Sequence, residues 1–323
     1  MSVKLRAAAI WGFLSVLFYV SGLLTLLTPL PLFYVALTKG KGAATSVLLS
    51  ALLSLFSLTN FVFPLLSHHD TPLSSLFFAL GHYIFFATIG IVLAFGVEQK
   101  YSLSRWIGTA CFSSMIVAIV FAALMHFSGM VSLVDELRSV LFQVLDQLIA
   151  AGKVSGNNEI QLRYLEERRE EIAQFVFYMA PALLFVISML TTVMNALLGR
   201  SFMTSRHQQI VILRGFSRYR LPDIAIWGII AGGVAFFLDT YIVHATWLQV
   251  IALNVLLCLC LLFFLQGFSV AVFFVQGFRL PFLRTIFYVV FILFLHTLGL
   301  LLLGLGIADV WGHFREKRLT RPS

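Results

Sequence analysis

The feature that most constrains this chain is a series of apolar runs, each long enough to cross a bilayer and nearly free of charge. They lie at about 43–66, 72–97, 106–128, 174–198, 223–240, 247–275 and 282–306. A hydrocarbon core ~30 Å thick needs about 20 apolar residues of helix. Composition agrees: 60% of the 323 residues are hydrophobic and only 11% are charged, against about 25% in soluble domains. No soluble interior accommodates that much apolar surface, so the bilayer is the expected solvent. Transmembrane barrels alternate apolar and polar residues, whereas these runs are continuously apolar. The expected fold is therefore all-α, a polytopic helical membrane bundle.

Two further segments precede these runs. Lys4 and Arg6 introduce an apolar stretch from Ala7 to about Leu27, too long for a signal-peptide core and without a small-residue cleavage site. It is expected as an uncleaved first span. Pro29 and Pro31 then open a segment from Leu30 to Leu37, followed by Lys39-Gly-Lys-Gly42. Its eight residues cover only ~12 Å as a helix, so it is expected as a half-length or kinked crossing. The count becomes about eight full spans plus one short segment.

Lysine and arginine set the orientation. With the N-terminus cytoplasmic, Lys4, Arg6, Lys39, Lys41, Lys100, Arg105, the arginines of 200–220, Arg279 and Arg284 all fall inside. The connections near Thr28, at His68–Asp70 and at Asp239–Thr246 carry none, the expected positive-inside pattern. The tail is the exception: nine crossings put Arg315, Lys317, Arg318 and Arg321 outside, unless the count is off by one. The net charge of +8 is thereby assigned to topology, and no nucleic-acid partner is expected.

One polar insertion, 129–173, precedes the sixth span. Met130, Val134, Leu137, Leu141, Val144 and Leu148 recur at spacings of four and three, an amphipathic helix. After a break at Gly152–Asn158, Glu159–Glu171 reads as a solvated helix with i,i+4 ion pairs. It is expected to run unbroken into the sixth span as a rod of about 60 Å. The two helices are expected as a hairpin, serving either as a spacer on the bilayer or as a partner-binding element. The domain division follows: 1–200 as the membrane core carrying this insertion, and 201–323 as a three-span region with a basic tail.

Catalytic signatures are lacking in the sequence: there is no HExxH, GxSxG or GxxxxGK[ST] motif. Glu166-Glu-Arg-Arg-Glu-Glu171 lacks the EExxxR spacing of an intramembrane protease. The expectation is a protein that is not an enzyme and carries no cofactor or metal. His68-His69-Asp70 reads as a solvated loop, and Cys111, Cys258 and Cys260 lie in apolar runs. Charged groups in spans mark ion or substrate paths, yet none lies deep here. His82, Asn254 and His296 are the candidate ligand-binding side chains, with His82 foremost because a mid-membrane imidazole can hold a polar ligand group. Gly228 with Gly232, and Ala8 with Gly12, permit close helix approach.

Leu221-Pro-Asp223, Trp227, Asn254, Gln266-Gly267, and the ending Gly304 through Asp309, Trp311 and Phe314-Arg315 resemble the YybS-like family of bacterial multi-pass membrane proteins, over roughly 175–316. The first half is similar in layout to the S components of energy-coupling-factor vitamin transporters. A small-residue first helix, a Pro-x-Pro step, Lys-Gly-Lys-Gly42 and a long third helix carry that likeness over about 5–128. It implies an S-component-like core of six segments with three added helices, in the bacterial inner membrane. Function then divides two ways. One is binding of a small or amphiphilic substrate within the bundle, energised by a separate partner because the chain has no ATP-binding motif. The alternative is a non-enzymatic envelope scaffold that recruits proteins through 129–173.

Overall fold

The computed structural model describes residues 3–22, 24–62, 73–99, 101, 103–128, 133–154, 159–204, 216–217, 219–277 and 281–315. Regular structure among the described residues is helical throughout, without a strand. Among the described residues, six helices are long and apolar enough to cross a membrane: Lys41–Phe61, Leu76–Glu98, Arg105–Ser128, Ala180–Gly199, Ala225–Val243 and Thr246–Gln276. Arg6–Val20 and Thr297–Gly312 are shorter apolar helices. Their outer faces carry large apolar side chains such as Leu53, Phe112 and Leu300 in the open, which is stable against lipid and not against water. The helical membrane bundle expected from the apolar runs is what forms.

The chain divides into two compact units, 1–180 with 187–210, and 181–186 with 211–323. The first unit contains α1 (Val3–Val20), α2 (Pro29–Lys39), α3 (Lys41–Ser57), α4 (Leu73–Glu98), α5 (Leu103–Ser128), α6 (Leu133–Val154), α7 (Glu159–Glu167), α8 (Arg169–Tyr178) and most of α9 (Ala180–Thr204). Pro29 starts α2 at a position where its missing N–H costs nothing. Gly40, at φ 84°, ends it and turns the chain into α3. The short second segment is thus real, and its two ends are the proline step and the Lys-Gly-Lys-Gly sequence.

Ala8, Val16, Leu32, Val47, Ala51 and Leu55 form the core where α1, α2 and α3 meet. Gly12 is needed there, since a Cβ would stand 2.9 Å from the Ala51 nitrogen. Trp106 fills the space between α5 and α4, fully buried, and donates its indole N–H to the Leu93 carbonyl at 2.7 Å.

The insertion folds as an antiparallel hairpin of α6 against α7 and α8. Leu145, Ile149 and Leu162 are buried in it, and ion pairs run between its arms: Lys153–Glu166, Arg169–Asp146 and Arg138–Glu170. Arg169 also lies over the Phe142 ring, 4.2 Å from its centre. The continuous rod does not form. The helix is interrupted at Arg168 (φ −107°, ψ 20°) and again at Met179 (φ −86°, ψ −4°). Pro181, two residues beyond the second break, lacks the N–H that would continue the ladder.

The second unit contains α10 (Ala225–Leu238), α11 (Thr246–Gln276), α12 (Pro281–Leu293) and α13 (Leu295–Gly312). Gly228 and Gly232 lie on the α10 face that packs against α11, where added Cβ atoms would stand 2.7 Å and 3.1 Å from Leu259 and Leu256. The GxxxG pair therefore serves packing inside the chain. The expected single span at 282–306 is instead two helices broken at Phe294 (φ −108°, ψ 23°), with neither proline nor glycine at the break.

Candidate functional site

Two stripes of side chains meet in the first unit. Ser15 and Tyr19 are one turn apart on α1; Phe78, His82 and Phe86 are one turn apart on α4. The Ser15 hydroxyl donates to the Thr28 carbonyl at 2.8 Å and lies 2.9 Å from the Tyr83 hydroxyl. Both side chains are fully buried. Tyr19 donates its hydroxyl proton to the Ala79 carbonyl at 3.1 Å and meets His82 Nδ1 at 3.3 Å.

That arrangement assigns the histidine tautomer through the hydrogen-bond network. The tyrosine proton is used on Ala79, so the contact with His82 requires the proton on Nδ1. Nε2 is then an acceptor, and it has no hydrogen-bond partner among the described residues. The imidazole is exposed and ringed by aromatics: Phe86 at 5.1 Å, Tyr19 at 5.5 Å and Phe78 at 6.1 Å between ring centres. A lone acceptor inside an aromatic collar is suited to one O–H or N–H donor carried on an apolar body.

A groove of about 580 Å³ runs between α1 and α3, lined by Ala8, Phe13, Leu49, Ser50, Leu53 and Ser54 among others. Three of its serines, Ser46, Ser54 and Ser57, turn their hydroxyls back onto carbonyls of their own helix at 2.8–3.0 Å. His82 is not among its lining residues.

The second unit holds a buried charged network. Asp309 and Arg315 pair at 2.6 Å, and Gln266 on α11 donates to Asp309 at 3.2 Å while accepting from the Leu221 amide at 3.0 Å. Arg315 also donates to the carbonyls of Ser217 and Tyr219, at 3.3 Å and 2.8 Å, and to the Ser269 hydroxyl at 3.2 Å. Burial pushes the Tyr219 phenol up to about 12. Beside this network α11 and α13 touch backbone to backbone. A Cβ on Gly267 would stand 1.8 Å from the Leu302 carbonyl oxygen, and one on Gly306 would stand 1.9 Å from that of Phe263.

The three candidate residues are divided between the two units. His82 is in the first unit; Asn254 and His296 are in the second. Asn254 is engaged with backbone: it accepts from the Ala182 amide at 2.8 Å and donates to the Val250 carbonyl at 2.7 Å. His296 is the second residue of α13, next to the Phe294 break rather than mid-span. His68–Asp70 lies outside the described residues. Tyr19, which sets the chemistry of His82, and the Asp309–Arg315 pair were not singled out as site residues from sequence. For the pair, the available signal was a carboxylate and a guanidinium six residues apart at the edge of the last apolar run, both within the ending that carries the family resemblance.

Neither a curated protein nor a solved structure matches this chain. A family model described as "Predicted membrane protein (DUF2232)" matches residues 7–310. That is nearly the whole chain, and the protein belongs to this family of predicted membrane proteins.

Proposed function

We propose that the protein is a membrane-embedded binding component of transport type, taking a small or amphiphilic ligand at the Tyr19–His82 site. The observation that carries this reading is the His82 imidazole itself. It is an exposed polar ring in an apolar helix, donating one hydrogen bond to Tyr19 from Nδ1 and left with an acceptor nitrogen inside an aromatic collar. Leaving such a group in hydrocarbon is unfavourable, so a ligand bringing one donor and an apolar body is the natural complement. The layout of 5–128, similar in sequence to that of S components, favours the same reading. An ATP-hydrolysing partner would be a separate protein. Asn254 and His296 carry less of this reading than His82, because Asn254 is already held by backbone on both sides.

In this reading the N-terminus is cytoplasmic in a bacterial inner membrane. Arg315, just beyond α13, contacts the carbonyls of Ser217 and Tyr219, so the end of α13 lies beside the segment that leads into α10.

Chemical modification tests the site. Diethyl pyrocarbonate should acylate His82 in delipidated protein, and re-addition of the organism's membrane extract should protect it. Equal modification in both conditions contradicts the proposal.

A second reading, an envelope scaffold, has its own observation. Val140, Val144 and Leu148 form an exposed apolar stripe along α6, on a hairpin whose opposite side is buried. Replacing the three with serine should release co-purifying envelope proteins without altering the bundle's thermal unfolding. An unchanged set of co-purifying proteins contradicts the scaffold.

A further inference from the structure

Five buried side-chain polar atoms lack a hydrogen-bond partner among the described residues, and four of them belong to one neighbourhood of the first unit: Thr28 Oγ1, Thr191 Oγ1, Thr192 Oγ1 and Asn195 Oδ1. All four residues are fully buried. Thr191, Thr192 and Asn195 lie within a turn or so of each other on α9. Asn195 donates from Nδ2 to the Leu26 carbonyl and to the Thr191 carbonyl, each at 2.7 Å. Thr28 is two residues along from Leu26, in the broken stretch between α1 and α2.

These orphans are not typical of the chain. Thr38, Thr88, Thr109 and Thr240 also sit in apolar helices, and each turns its hydroxyl onto the carbonyl four residues earlier, at 2.8–2.9 Å. Thr191 and Thr192 leave that bond unmade. The amide of Asn195 is fixed in orientation, because both Nδ2 protons go to carbonyls; its Oδ1 is an acceptor by necessity. Unsatisfied oxygens in a dry interior are strongly disfavoured unless something fills the gap.

We infer that Thr191, Thr192, Asn195 and Thr28, beside the α1–α2 break, form an oxygen-lined site for a small monovalent cation of the sodium type. Hard cations take oxygen ligands, and interrupted membrane helices with adjacent hydroxyls and carbonyls are a recurrent way of replacing a hydration shell. Among the described residues no carboxylate joins the cluster, which suits a single charge and not a divalent ion. The inferred ligands include neither Tyr19 nor His82, and the inference stands whether or not those two bind a ligand.

The test is thermal unfolding of the full-length protein in detergent, in sodium, potassium and choline chlorides at equal ionic strength. Sodium at ~100 times its Kd should raise Tm by about 5–10 °C over choline, saturably. The Thr191→Val/Thr192→Val variant removes two orphan oxygens at constant shape. It should be at least as stable as the parent in choline and show no response to sodium. A parent protein that unfolds at the same temperature in all three salts overturns the inference, because internal water then satisfies these oxygens. So does a sodium response that the double variant retains.

Discussion

Asp309 and Arg315 form an ion pair 2.6 Å long at the end of α13, with 2% and 11% of their side chains exposed. The pair is completed by Gln266, Ser269 and three backbone groups of the 217–221 segment. Removing one partner leaves the other charge buried and uncompensated, a loss of about 3–5 kcal/mol in comparable pairs. Arg315→Met should therefore lower Tm sharply in detergent. Asp309→Leu together with Arg315→Met should recover a substantial part of that loss. If the double variant is as unstable as the sum of the two single ones, the network is held by the backbone contacts of Arg315 and not by the pairing.

The crossing of α11 and α13 admits no side chain at Gly267 or Gly306. Gly267→Ala and Gly306→Ala should each cost at least the ~1–3 kcal/mol of an overpacked core, seen as a broadened or lost monodisperse peak. Gly233→Ala and Gly304→Ala are the controls, since a Cβ at either position meets nothing within 4 Å. Equal stability across all four variants would show that the two helices do not approach this closely.

Tyr219 supplies a pH dependence. Its phenol ionises near 10.0 when unperturbed and near 12 in the fold, so the native state retains a proton that the unfolded chain gives up. Stability is full below pH 10 and falls as pH rises from about 10 to about 12. In Tyr219→Phe that component should be absent, leaving a shallower alkaline loss. Identical profiles for the two proteins would mean the phenol titrates as if in water.

Much of the architecture could be read from sequence because a single physical requirement governs it. An apolar run with no charge must be a helix in lipid, and Pro29, Pro31 and Gly40 mark the short α2 by their backbone restrictions. Alternating spacings of three and four foretold an amphipathic arm, although Leu145 and Ile149 are its buried residues while Val144 and Leu148 of the expected stripe are exposed. Gly228–Gly232 foretold the close packing of α10 on α11. The breaks at Arg168 and Phe294 carry no proline or glycine, so nothing local announced them. Gly267 and Gly306 look like ordinary small residues until two backbones meet over them. The site was less legible for the same reason: His82 stood out by its chemistry, but Tyr19 lies 63 positions away. Asn195, likewise, is tied to Leu26 across 169 positions.

The claim that His82 and Tyr19 bind a small or amphiphilic ligand is tested most directly by native mass spectrometry. The wild-type protein and His82→Ala, purified from the native membrane in mild detergent, should have the same Tm. A bound small molecule on the wild type, absent from His82→Ala, is the predicted result. A wild-type bundle that carries no small molecule, or a molecule held equally well by His82→Ala, would contradict the account.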